Sequence, residues 1–495
     1  MRDFHRFSKW FTAACLIVTM SAVPVFAQKT TPATDQNTNV PAVPRAIPDL
    51  LPYQNFDPPQ SKAFDFKNLT ISGDMRVRPE FRTNAGFGTN AVGAAQKNNQ
   101  YFTQQLIRLG FNYDVSPDVV FFVQAQVSNN FGTGNPNSSG NNLFLRQGYM
   151  LIRNFLTKNL TLKAGRQLVV WGNHRIFGHF DWNNVGFTFD GVTLRYNHGV
   201  VPVELGWLQV GEGNCTQNAG ACGLNPNGGN AYGGDANILF VRLPMNIAGT
   251  AIEPAWIYED GGIGAGPGGN GANLQPLGGG QQSNQERHTL GARIATKQGI
   301  VDATVEGYYQ VGKVGAVGGA TNRDIRAYAV HADAGVTLPV PMQPRIGAEF
   351  NYGSGDDDPT DGKQETFSQL FPTNHIHFGY MDLMSWQNMM TFGGNLQLRP
   401  TKNSHFEIAG HYMRLANEDD NWYGANQSIF KQTPAGNNEK SLGGEIDVVY
   451  TLFFQDNKVG WQLGYGHFFT GDYNKKNGFG TADQNWGYTQ LWINF

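Results

Sequence analysis

The residues with most scope for chemistry in this chain are charged side chains set two apart. Asp74, Arg76, Arg78, Glu80 and Arg82 alternate with Met75, Val77, Pro79 and Phe81. Successive side chains of an extended strand point to opposite faces, so these five charges share one face and the apolar residues take the other. The same parity puts Arg108, Lys163, Arg195, Arg293, Arg345 and Arg399 on the charged faces of later segments. Glu204, Asp302, Glu306, Glu349, Glu407, Glu445 and Asp447 join them. If the bases gather at a constriction, such a set attracts anions, because low-dielectric walls focus their field. If acids and bases pair along the wall, they only solvate the face. Their numbers are nearly even, so composition alone does not choose between these readings.

Other chemistry has less behind it. His174 and His179 lie five apart in a glycine-rich stretch, without the helix or acid partner of a zinc protease motif. Asp356, Asp357, Asp358 and Asp361 offer oxygens to Ca²⁺, but EF-hand spacing is absent and a solvated extracellular loop is the favoured reading. No GxSxG, phosphate loop or CxxC pair occurs. The expectation is a protein that is not an enzyme and carries no cofactor or metal. A membrane-embedded hydrolase stays as a rival that needs a Ser/His pair.

The elements that would position these charges are strands. Segments with period-two patterning recur at 69–81, 107–113, 119–127, 160–167, 192–196, 290–295, 301–310, 345–352, 392–399, 406–412, 459–465 and 488–495. Weaker ones lie near Leu143, Val203, Ile238, Ala251, Tyr328 and Ile446, for about eighteen in all, each near the length of a tilted membrane strand. Short turns at 116–118, 197–200, 298–300 and 400–403 alternate with long polar or glycine-rich stretches at 129–141, 211–235, 260–285 and 353–387. Short turns on one side and long loops on the other suit a transmembrane barrel. Lipid offers no hydrogen bonds, so an open sheet would fail at its edges and only a closed one spans. At this strand number the interior is too wide for wall side chains to fill. The fold expected is all-β, a transmembrane antiparallel β-barrel of about 18 strands over residues 67–495, with long extracellular loops and short periplasmic turns around a pore.

Composition agrees. With 13% aromatic residues, 62 glycines and only 15% charged residues, the chain suits many strands joined by turns and partly covered by lipid. The net charge of −3 gives no basic surface for nucleic acid. Arg2, Arg6 and Lys9, an apolar core at 11–25 and Val25-Phe26-Ala27 form a signal peptide over 1–27, cleaved before Gln28. Cys15 precedes Leu16, Ile17 and Val18 within that core, unlike a lipobox cysteine, which follows it. Residues 28–66, with six prolines from Pro41 to Pro59, form a periplasmic N-terminal extension. Cys215 and Cys222 are expected to close a small structural disulfide. An alternating final strand ending in Phe495 resembles the outer-membrane insertion signal, so outer-membrane lipid and the periplasmic export and barrel-assembly machinery are the expected partners and the bacterial outer membrane the expected location.

One block resembles a known family. GRQLVVWGNHRIFGHFDWNNVGFTFDGVTLRY, from Gly165, is similar to the signature of the alginate export outer-membrane porins. NYGSGDDDPTDGKQETFSQLFPTNHIHFGYMDL from Asn351 and NEDDNWY from Asn417 match it more weakly. The resemblance implies an 18-stranded barrel acting as a monomeric pore with an electropositive constriction, through which an acidic polysaccharide, polymannuronate or alginate, leaves the periplasm. By position it implicates Arg166, Arg175, Asp181, Asp190 and Arg195. An equal alternative has Asp181 and Asp190 holding a folded-in loop through ion pairs with Arg166 and Arg175. Strand parity alone puts Arg166 on the lipid-facing register unless a bulge intervenes. A general or sugar-specific diffusion porin on the same scaffold is the second functional reading.

Overall fold

In the computed structural model, residues 64–89, 99–131, 142–197, 201–211, 236–262, 284–314, 323–358 and 360–495 are described. The signal peptide, nearly all of the N-terminal extension, and Cys215 and Cys222 lie outside them.

Eighteen long strands form the wall. They are β1 (Leu69–Thr83), β2 (Gln100–Ser116), β3 (Val119–Asn130), β4 (Asn142–Ile152), β5 (Leu160–Gln167) and β6 (Phe189–Tyr196). Next come β7 (Val203–Gly211), β8 (Ala236–Arg242), β9 (Thr250–Gly262), β10 (Asn284–Gln298), β11 (Val301–Val314) and β12 (Arg323–Thr337). The last six are β13 (Arg345–Gly353), β14 (Met389–Leu398), β15 (Ser404–Arg414), β16 (Ser441–Phe454), β17 (Val459–Thr470) and β18 (Gln484–Asn494). Each pairs antiparallel with its neighbours, and β18 returns to β1 with Glu80 opposite Tyr488 and Asp74 opposite Asn494. Phe495 seals the seam through backbone bonds with Gly73 at 2.8 and 2.9 Å. A closed ladder leaves no unpaired sheet edge in hydrocarbon. Upstream, Phe64–Phe66 folds back on the start of β1 as a short hairpin.

The alternation sorts side chains as the two solvents require. On β2, Ile107, Leu109, Phe111 and Tyr113 are exposed on the outside, while Leu106 and Arg108 are buried inside. On β11, Val301, Val305 and Tyr309 face out, and Asp302, Thr304, Glu306 and Gln310 face in. Turns at one rim are tight: Gln298 pairs with Val301, and Gly299 takes φ 60° as the first of two turn residues. A positive φ confined to that position suits a type II′ hairpin, where glycine adds no Cβ strain.

The lumen is not left to water alone. Three connections fold inward, residues 168–188 between β5 and β6, 354–388 between β13 and β14, and 415–440 between β15 and β16. Phe177, Phe371, Phe378, Met384, Trp386 and Trp422 from these loops form one buried apolar cluster inside the barrel. Phe177 and Phe371 join two of the loops by a parallel bridge, with Gly178 N–H donating to the Phe371 carbonyl at 2.7 Å. Burying so many aromatic side chains holds the loops in place more firmly than any single polar contact.

Candidate functional site within the lumen

A dense cluster of charge lies where β1–β4 meet the tip of the 168–188 loop. Arg108 Nη1 and Nη2 donate to the two Asp181 oxygens at 3.0 and 2.7 Å. Arg146 Nη2 donates to Asp181 Oδ1 at 2.8 Å, and Arg76 Nη1 to the Asp181 carbonyl at 2.7 Å. Next to them, Arg78 Nε donates to Glu80 at 2.7 Å and Arg78 Nη1 to the Trp182 carbonyl at 2.9 Å. The Arg78 guanidinium lies 3.6 Å over the Trp182 ring, which stacks on His375 at 3.7 Å. Wall, first loop and second loop are thus joined in one stack. The planar arginine fork suits this work because it meets carboxylates with two parallel bonds and lies flat on aromatic rings.

A second section, on β15 and β16, has the opposite sign. Glu445 Oε1 accepts from Met381 N–H at 2.8 Å, and Asp447 Oδ2 from Tyr380 N–H at 3.2 Å. Glu407 accepts from the Tyr380 hydroxyl at 3.2 Å. Basic wall therefore holds loop carbonyls and a carboxylate, while acidic wall holds loop N–H groups. Trp486 and Tyr488 of β18 stand between the two sections and touch Trp182.

Other expected residues have different surroundings. Arg293 and Arg242 share Glu253 at 3.0 and 2.6 Å, and Arg345 pairs with Asp302 at 2.5 Å. Arg195, partly exposed, pairs with Glu204 at 3.0 Å. Lys163 is buried over the Tyr149 ring at 4.2 Å. Arg175 is buried near Glu306 at 3.8 Å and faces Phe378 and Trp386. For Arg242, Arg293, Arg345 and Arg195 the pairing of acid and base along the wall holds.

Three residues expected in the pore, Arg166, Asp190 and Arg399, are not there. Arg166 pairs with Asp190 at 2.6 Å on the outer surface, with 38% and 54% of the side chains exposed. Strand parity runs unbroken from Lys163 through Gly165 to Gln167, so Arg166 points away from the lumen. Arg399 is exposed in the turn one residue beyond β14. The folded-in loop is present, but Arg108 and Arg146 hold Asp181, not Arg166 or Arg175.

Arg146 was missed by parity for a physical reason. Gln124 pairs with Gln147 and Ala125 with Leu145, so Arg146 is the extra residue of a β-bulge. A bulge re-aims one side chain and breaks the count of two. The only signal in the sequence is a lone arginine within LFLRQGYML.

In the acidic loop, Asp356, Asp357 and Glu365 bring carboxylate oxygens within 4.8 Å of one another. Asp356 is tied to Arg323 at 3.7 Å and to the Asp358 amide, Asp358 to Thr360, and Asp361 to Lys363. Burial, with Asp420 adding to it against the pull of Arg323, pushes the Asp356 carboxyl up to about 6. A carboxyl raised in the fold is stabilising when protonated, so this contribution is present at low pH and lost as pH rises through about 6. Amides of residues 354–366 should therefore exchange more slowly at pH 5 than at pH 7 after correction for intrinsic rates. Asp356→Asn should flatten that difference, and an undiminished difference would move its cause elsewhere.

Comparison with curated proteins returns no match. Among solved structures, Pseudomonas aeruginosa OccK9 (OpdG) is similar at 11% identity and TM-score 0.55, covering 87% of this chain and 99% of that one. P. aeruginosa OccK8 (OprE) gives 11% and 0.53, covering 87% and 98%. P. aeruginosa OccK2 (OpdF), solved in complex with glucuronate, gives 12% and 0.52, covering 87% and 99%. At such identities the likeness concerns the fold, that of outer-membrane porins. The family described as alginate export matches residues 67–209 and 275–488, most of the chain. A closed 18-stranded barrel with lipid-facing apolar residues, matched over most of its length, makes this chain a member of the alginate export family, a channel of the bacterial outer membrane.

Proposed function

We propose that the channel passively exports an anionic polysaccharide, an alginate-like polyuronate, past the arginines of β1–β4. The observation that carries the reading is the convergence of three arginines on Asp181 inside the lumen, Arg108 and Arg146 on its carboxylate and Arg76 on its backbone carbonyl. Fixed guanidinium forks recognise the carboxylate that every residue of a polyuronate carries. Family membership supports a polysaccharide as cargo. A solved porin of the same fold that holds glucuronate supports a uronate, at the level of fold alone.

In planar bilayers the protein should pass an anion-favouring current that a short oligouronate blocks in a concentration-dependent way. A neutral oligosaccharide of equal length should block far less. Arg78→Glu should weaken the block at least about tenfold, because the reversed charge faces the Trp182 backbone and the passing chain. Arg195→Glu, at a partly exposed pair, should weaken it less. Equal block by charged and neutral sugars would favour a general diffusion porin. Turnover of an oligosaccharide without steady channels would favour the hydrolase.

A further inference from the structure

Asp181 is not part of the wall. It sits on the tip of an inward loop, and wall donors receive the carbonyls of Asp181, Trp182, Asn184 and Val185. Gln126 Nε2 and Ser128 Oγ donate to the Asn184 carbonyl at 2.7 and 2.5 Å, and Arg146 Nη1 to that of Val185 at 3.0 Å. The wall therefore presents donors, and the loop supplies one carboxylate and several oxygens. A uronate residue carries the same inventory, a carboxylate flanked by hydroxyl and ring oxygens.

The arginine site also exceeds what the loop satisfies. Nε of Arg76 and Nε of Arg146 are buried with no hydrogen-bond partner. Both side chains are almost wholly buried, at 3% and 1% exposure. Three guanidinium groups, of Arg76, Arg108 and Arg146, face two carboxylates, Asp181 and Asp74, and both Asp74 oxygens are buried without a hydrogen bond. A net positive cluster of buried groups with donors left unpaired favours an anionic partner.

We infer that Asp181 is a built-in competitor: it fills the carboxylate site of the Arg76–Arg108–Arg146 cluster and keeps the loop tip docked until a carboxylate of the cargo takes its place. The inference rests on the polyuronate reading for its cargo, but not for the site itself. Exchange of one carboxylate for another costs no net desolvation of the arginines, so the tip can leave without exposing bare charge. A passing chain would thereby undock the segment that narrows the pore, and the segment would redock behind it.

The test compares wild type, Asp181→Asn and Asp181→Glu in planar bilayers, with a mannuronate oligomer as probe. Removing the competing charge at constant shape should lower the half-blocking concentration about tenfold and move the reversal potential in a KCl gradient toward that of chloride. Asp181→Glu keeps the charge and should stay close to wild type. No change in either quantity for Asp181→Asn would overturn the inference. If the oligomer blocks neither protein while the reversal potential still shifts, the polyuronate reading fails and the competitor site stands for small anions. A second measurement needs no variant: amides of residues 178–187 in the wild type should exchange faster when the oligomer is bound. Block accompanied by unchanged or slower exchange there would show that the tip stays docked, and would overturn the inference.

Discussion

Arg108→Glu should invert the ion preference of the channel, from anion-favouring to cation-favouring, with a reversal potential of opposite sign in a KCl gradient. Arg108 makes both bonds of a fork to Asp181 and a 2.6 Å bond to Gln126. Its replacement deletes one buried positive charge and adds a negative one beside Asp181 and Asp74. Breaking one partner of a buried pair costs about 3–5 kcal/mol, because the remaining charge is left uncompensated. The loop tip should then detach from β2 while the barrel, held by its own ladder, stays folded. Arg166→Glu is the matched control: the same change of charge on the outer surface, next to Asp190, should leave selectivity as it was. If the two substitutions act alike, the arginines of β1–β4 do not set the field of the pore.

The second large effect concerns how the lumen is narrowed. Gly178 lies where the first loop crosses the second. A Cβ there would stand 2.2 Å from Thr373 Oγ1 and 2.8 Å from the Thr373 amide nitrogen. The hydroxyl can turn away, but the backbone cannot, so Gly178→Val must push the two loops apart. Overpacking of this kind costs about 1–3 kcal/mol, and here it falls on the bridge between Phe177 and Phe371. Single-channel conductance should rise severalfold, and neutral sugars too large for the wild type should enter liposomes bearing the variant. A conductance equal to wild type would mean that the crossing does not limit the passage.

How much of this was legible in sequence follows from which rule each element obeys. β1, β2, β3 and β11 alternate cleanly because one side meets lipid and the other a charged interior, and the pattern alone finds them. β4 was the weaker kind of segment, since Tyr149 and Leu151 are buried inside as well as apolar, and its bulge changes the parity midway. The position of Arg166 was readable from parity, while the family signature pointed to the lumen, and parity was right. The inward loops were readable as motifs, yet not as a packed interior. Their apolar residues follow no period of two, and only the crossing of residues 174–178 with 371–373 brings Phe177 and Phe371 together. Which arginine meets Asp181 was beyond reach for the same reason, because Arg108 and Arg146 lie 73 and 35 residues away and one of them sits on a bulge.

Under the proposed function this lumen should pass an acidic polymer and hold back a neutral one. Proteoliposomes loaded with a mixture of polymannuronate and dextran of matched size test it directly, by following each polymer in the external buffer over time. Steady loss of the uronate polymer with retention of dextran is the outcome expected, slowed in Arg108→Glu vesicles. Retention of both polymers, or equal loss of both, would contradict the claim.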